Sequence, residues 1–148
     1  HLRASLLEHT PLPPSRIYAM PVESPDLQSA AAQYARILED IAGSPPVLDL
    51  AHLGLGPDGH TASLVPGDPV LDVTDRDVAL TGRVYEARRR MTLTYPVLDR
   101  SRRILWVVTG IEKVDMLARL RAGDRSIPAG RVRRDRALVI ADRAAAGH

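Results

Sequence analysis

The sequence predicts an α/β fold: a mostly parallel sheet flanked by helices, Rossmann-like. Three observations carry this. ILWVV at 104–108 and ALVIA at 137–141 are short continuous apolar runs, the pattern of strands covered on both faces. Helical periods at 27–41 and 111–121 alternate with such runs, which is the mark of an α/β layer structure. Two segments, 54–60 and 109–113, follow predicted strands directly, and open α/β sheets bind ligands beyond the carboxyl ends of their strands. A length of 148 residues fits a single domain over 1–148.

Taken in order, residues 2–8 (LRASLLE) read as a short helix stopped by Pro11, Pro13 and Pro14. Ile17 to Val22 reads as a short strand. Ser24 or Asp26 caps a helix whose apolar positions are Leu27, Ala30, Ala31, Tyr34, Ile37, Leu38 and Ile41, and Gly43 ends it. Tyr34, Leu38 and Ile41 are assigned to the core. After Pro45-Pro46, Val47 to Leu53 reads as a buried strand interrupted by Asp49. Residues 66–77 hold too much Pro, Gly and Asp for a long helix. Val78 to Tyr85 and Met91 to Thr94 suggest strands around the basic turn Arg88-Arg89-Arg90. Pro96 to Ser101 forms one or two helical turns. Ile104 to Val108 is the clearest strand, with Trp106 in the core. The helix at 111–121 turns Val114, Leu117 and Leu120 or Ala118 to one side, and Ala137 to Ala141 is the last strand.

Composition excludes several classes. There is no Cys, so disulfides, thiol nucleophiles, Fe–S clusters and Cys-ligated zinc are ruled out. No apolar run approaches the roughly 20 residues of a membrane helix, no signal peptide opens the chain, and a cytoplasmic location is the expectation. The estimated pI is 9.4, but acids and bases nearly cancel to a formal +2, so no nucleic-acid partner is expected. Every basic residue but one is Arg; the exception is Lys113. With no Phe and 3% aromatics, Leu, Val, Ile and Ala must fill the core.

GLGPDG at 54–59 matches G-x-G-x-x-G after a strand, with Asp75 or Asp77 near the spacing of a ribose-binding acid. A dinucleotide site needs a full helix after the glycines, and Pro66, Gly67 and Pro69 break the chain too soon. The stronger reading uses Asp58 and His60. Imidazole moves protons near neutral pH, and an Asp two residues away can orient it. Gly54, Gly56 and Gly59 allow a tight turn and a close ligand, while Thr61 and Ser63 offer hydroxyls at a helix start. The plain alternative is a Gly-rich turn with a solvated Asp and His. Lys113 stands near a helix N-terminus, a natural anion site, or is a surface lysine. Arg90 is a second cation, with Arg88 and Arg89 read as solvated. His52 reads as a packed or edge residue, and His1, His9 and His148 as surface or terminal ones.

These residues carry a resemblance. LGLGPDGHTASLVPG at 53–67 resembles the 6-phosphogluconolactonase signature LGxGxDGHxASLFPG. Arg90-Met91-Thr92-Leu93-Thr94 resembles the family's R-x-T-L-T, and Thr109-Gly110 with Lys113 its T-G-x-x-K. Ile127-Pro128-Ala129 resembles L-P-A, and Asp142-Arg143-Ala144-Ala145 resembles D-x-A-A. Val65 replaces the usual Phe.

The resemblance implies the deaminase/lactonase type of fold. It implies hydrolysis of 6-phospho-D-glucono-1,5-lactone to 6-phosphogluconate in the pentose phosphate pathway. His60 would be the base and Asp58 its orienting partner, the catalytic pair. Gly54, Gly56, Gly59, Arg90 and Lys113 would bind substrate and phosphate, with backbone N–H groups of the 54–59 loop facing the oxyanion. No metal or organic cofactor is implied, the partner is a sugar-phosphate lactone, and the complete protein is expected to be a monomer. The family's upstream Gly-Gly-Ser loop and Asp-Glu-Arg segment do not occur here. The chain is therefore expected to be the family's carboxyl-terminal majority, and alone to self-associate and be nearly inactive. The rival readings are a glucosamine-6-phosphate deaminase/isomerase and a non-catalytic sugar-phosphate-binding fragment. The deaminases share Asp58 and His60 but follow them with a stretch carrying a Glu; Thr61-Ala62-Ser63-Leu64-Val65-Pro66 has no acid.

Overall fold

The computed structural model describes residues 2–85 and 87–147; the expectations for His1 and His148 lie outside them. After helix α1 (Leu2–Ser5) and short 3-10 turns comes α2 (Leu27–Ala42). Of the two candidate caps, Asp26 is the one used: its carboxylate accepts from the Ser29 N–H at 3.0 Å and the Ser29 hydroxyl at 2.6 Å. Gly43 closes the helix with its N–H on the Glu39 carbonyl. The small Ala30 and Ala31, with Leu38, let α2 settle onto strands β2 (Val78–Leu80) and β3 (Met91–Leu93), an antiparallel pair. Ile41 is exposed, and Tyr34 is half-buried against the same cluster. The strand expected at 17–22 does not form. The segment turns instead, with the Val22 N–H on the Met20 carbonyl, and lies along α2, where the Tyr34 hydroxyl donates to the Tyr18 carbonyl at 3.0 Å.

The main sheet is three parallel strands in the order β1 (Ala51–Leu53), β4 (Ile104–Val108), β5 (Ala137–Ala141). β1 is shorter than the expected 47–53. Its pairing starts at Ala51 opposite Ile104, so the residues before it have no ladder to join. Helix α3 (Tyr95–Arg100) precedes β4, and α4 (Val114–Ala122) and α5 (Pro128–Arg131) link β4 to β5. The sequence reading missed the four-residue α5 altogether. Leu98 of α3, Leu117 and Leu120 of α4 and Ala129 of α5 join one core with Ala51, Leu53, Ile104, Trp106 and Val108.

That core lies on one face. The register sets His52, Leu105 and Leu138 side by side on the other, with Val107 beside Ile140 in a second row. Val107, Leu138 and Ile140 are 38%, 60% and 52% exposed. The expectation of strands covered on both faces therefore holds for one face only among the described residues.

Candidate functional site

β1 and β4 are neighbours running the same way, with Leu53 opposite Trp106, so the loops that follow them leave the same end of the sheet. The two segments singled out in the sequence, 54–60 and 109–113, are these loops.

The 54–60 loop is folded by its own hydrogen bonds. The Gly59 N–H donates to the Gly56 carbonyl at 3.0 Å, and the Gly56 N–H to the His60 carbonyl at 2.8 Å. Gly59 takes φ +82°, a left-handed conformation that favours glycine. Gly56 is needed for space: a Cβ there would overlap the imidazole ring of His60, which lies directly on it. Both glycine N–H groups are occupied within the turn in this conformation.

Asp58 and His60 are in direct contact. One carboxylate oxygen lies 2.6 Å from His60 Nδ1 and accepts the His60 backbone N–H at 3.1 Å. An ionised carboxylate only accepts, so this contact calls for a proton on Nδ1, and in the neutral tautomer it leaves the Nε2 lone pair for a substrate proton. Burial pushes the Asp58 carboxyl up, but the backbone and ring bonds from His60 outweigh it and hold the group below the usual carboxylate value.

No helix follows His60, contrary to expectation. Thr61 and Leu64 exchange backbone hydrogen bonds across a tight turn, with Ala62 at φ +50°. The Thr61 hydroxyl is buried and donates to the Gly54 carbonyl at 2.9 Å, so it braces the loop and does not face a ligand. The missing helix also removes the frame a dinucleotide site would need. Gly59 is seated against α4 and α5: a Cβ there would meet Ile127 and the Met116 sulfur, and the Ala129 N–H donates to the Gly59 carbonyl at 3.0 Å.

Lys113 ends a 3-10 turn, Ile111–Lys113, just before α4. Its side chain is 17% exposed and its Nζ lies 3.8 Å from Glu112. Asp142 steadies this turn by accepting from the Gly110 N–H at 3.2 Å and the Ala145 N–H at 2.7 Å.

Arg90 lies just before β3. Thr92 of β3 accepts the Ser63 N–H at 3.1 Å, which ties the strand to the turn after His60. Of its neighbours, Arg88 is exposed and pairs with Glu23 at 3.2 Å. Arg89 is not solvated as expected: its Nε donates to the Thr81 carbonyl at 2.6 Å. The described contacts thus join Gly56, Asp58 and His60 directly. Near that loop, Met116 of α4, three residues after Lys113, lies where a Cβ on Gly59 would meet it, and Thr92, two residues after Arg90, accepts from Ser63. His52 lies exposed on β1, an edge strand. A cleft of about 420 Å³ opens at the opposite end of the sheet, between Leu50, Arg103, Leu105 and Leu138, and none of the candidate residues lines it.

A family model described as glucosamine-6-phosphate isomerases/6-phosphogluconolactonase matches residues 1–140. The human 6-phosphogluconolactonase is 39% identical over 121 residues, covering 80% of this chain and 46% of its own. The solved 6-phosphogluconolactonase of Thermotoga maritima superposes with a TM-score of 0.76 at 28% identity, over 95% of this chain and 62% of that one. A monomeric glucosamine-6-phosphate deaminase gives a TM-score of 0.80 at 20% identity, over 99% of this chain and 65% of that one, a likeness of fold alone. This chain spans about half the length of the curated relatives it matches.

Proposed function

The chain belongs to the glucosamine-6-phosphate isomerase/6-phosphogluconolactonase family, and from that premise we propose that it carries the catalytic part of a 6-phosphogluconolactonase. The substrate is 6-phospho-D-glucono-1,5-lactone. The observation that carries this reading is the Asp58–His60 contact, which leaves His60 Nε2 able to take a proton.

In the reaction, Nε2 removes a proton from water as the oxygen attacks the lactone carbonyl carbon. The carbonyl electrons move to oxygen and return as the ring C–O bond breaks. The departing ring oxygen takes the proton from His60 and becomes a hydroxyl. The products are 6-phosphogluconate and a regenerated imidazole. Asp58 stabilises the transient imidazolium and holds its orientation. Lys113 and Arg90 provide positive charge for the 6-phosphate, and Gly54, Gly56 and Gly59 shape the floor of the site.

Residues 1–148 act here as a single lactonase-like domain in a cytoplasmic, monomeric enzyme. A deaminase reading has less support, since 61–66 carries no carboxylate to move the second proton.

The test is His60→Asn in the full product of the gene. Turnover of the phosphorylated lactone should fall about 10²–10⁴-fold, the usual worth of a positioned base, with the thermal midpoint unchanged. Near-normal turnover would remove His60 from the chemistry.

A further inference from the structure

Asp68 is a buried carboxylate that the mechanism does not use. It is 2% exposed, and four donors converge on it. The Val70 and Gly82 N–H groups bind Oδ1, both at 2.8 Å; the Arg83 N–H and the Tyr85 hydroxyl bind Oδ2, both at 3.0 Å. Burial raises this carboxyl, but those four donors outweigh it and hold it below the ordinary carboxylate value. Asp68 is thus an ionised anchor for the loop between β2 and β3.

What the anchor holds is the Tyr85 ring, and the Arg90 guanidinium lies over that ring, 5.8 Å from its centroid. The backbone of Arg90 is fixed independently. Its N–H donates to the Thr81 hydroxyl at 3.0 Å, and its carbonyl accepts the Thr81 N–H at 2.8 Å. With the backbone pinned, the ring face is a surface that limits where the side chain can go. A phenol donating to a carboxylate also becomes richer in ring electron density, which strengthens its hold on a cation.

We infer that Asp68 and Tyr85 are positioning residues that aim the Arg90 guanidinium at an anionic group of the substrate. The inference rests on the reading of Arg90 as a phosphate-binding cation. Neither residue touches substrate; they act through Arg90.

The experiment titrates the full gene product with 6-phosphogluconate and, in parallel, with gluconate, by calorimetry. Four variants are compared with the parent: Tyr85→Phe, Tyr85→Leu, Arg90→Ala and the double variant Tyr85→Leu/Arg90→Ala. Thermal midpoints confirm that each is folded, and Tyr85→Phe keeps the packing if the leucine does not. Tyr85→Leu should weaken 6-phosphogluconate about 2–10-fold, the range of a cation–ring contact read as affinity, and leave gluconate unchanged. Tyr85→Phe should fall between, since it keeps the ring and loses the Asp68 bond. In the Arg90→Ala background, Tyr85→Leu should cost nothing further. If Arg90→Ala weakens binding but Tyr85→Leu does not, the relay is overturned and the phosphate reading stands. If Tyr85→Leu costs as much with Arg90 as without it, Tyr85 is only structural and the inference is overturned. If Arg90→Ala binds as tightly as the parent, both fall together.

Discussion

The two faces of the three-stranded sheet are built from the same strands and read alike in sequence, yet they differ in kind. On one, Ile104, Trp106 and Val108 lie beneath helices and are almost fully buried. On the other, Val107, Leu138 and Ile140 are apolar and open. An antiparallel sheet facing water alternates apolar with polar residues, whereas β4 and β5 do not. The open face therefore has the chemistry of an interior surface. Apolar identity in a strand tells what a residue is suited to touch, and only the surrounding chain decides whether it touches it.

Three experiments would sharpen or break that contrast. The largest effect is expected at Trp106. Trp106→Ala should cost about 3–5 kcal/mol, as for large-to-small changes in a close-packed core, read from the denaturant midpoint. A loss below about 1 kcal/mol would mean that the covered face is not the main core. Next, residues 1–148 alone should sediment as a species larger than a monomer. The pair Leu138→Gln and Ile140→Gln should return it to a monomer, since burying each such side chain is worth about 1.5–3 kcal/mol. Unchanged sedimentation in the double variant would show that the open face does not drive association. The smallest and cleanest comparison uses adjacent residues of one strand. Val108→Thr buries a hydroxyl in the core and should cost about 1–3 kcal/mol, while Val107→Thr should stay within about 0.5 kcal/mol. Equal costs would erase the distinction between the faces.

The legible parts of the molecule are those whose signal is local. β4 and β5 form over the predicted spans because their apolar runs are continuous and bounded. Helix α2 follows its period from cap to Gly43. The Asp58–His60 pair was legible because two residues of separation suffice to make it. The failures depend on distant partners or on special backbone. The run at 17–22 is strand-like in composition, but among the described residues no strand pairs with it. The short β1 is set by where β4 begins. The turn at 61–64 depends on Ala62 adopting a left-handed conformation, which an alanine does not advertise. α5 is four residues long and contains Gly130, too little for any period. The bonds from Asp68 to Gly82, Arg83 and Tyr85 span 14 to 17 residues, and no spacing rule reaches that far.

The close seating of the imidazole on Gly56 has a practical consequence for making a control protein. A methyl group at position 56 would fill the space the ring occupies and push it off its perch. Such a chain would retain His60, Asp58, Lys113 and Arg90 with their charges intact, and would differ from its parent by one carbon. It would separate possessing the right groups from having them in the right place.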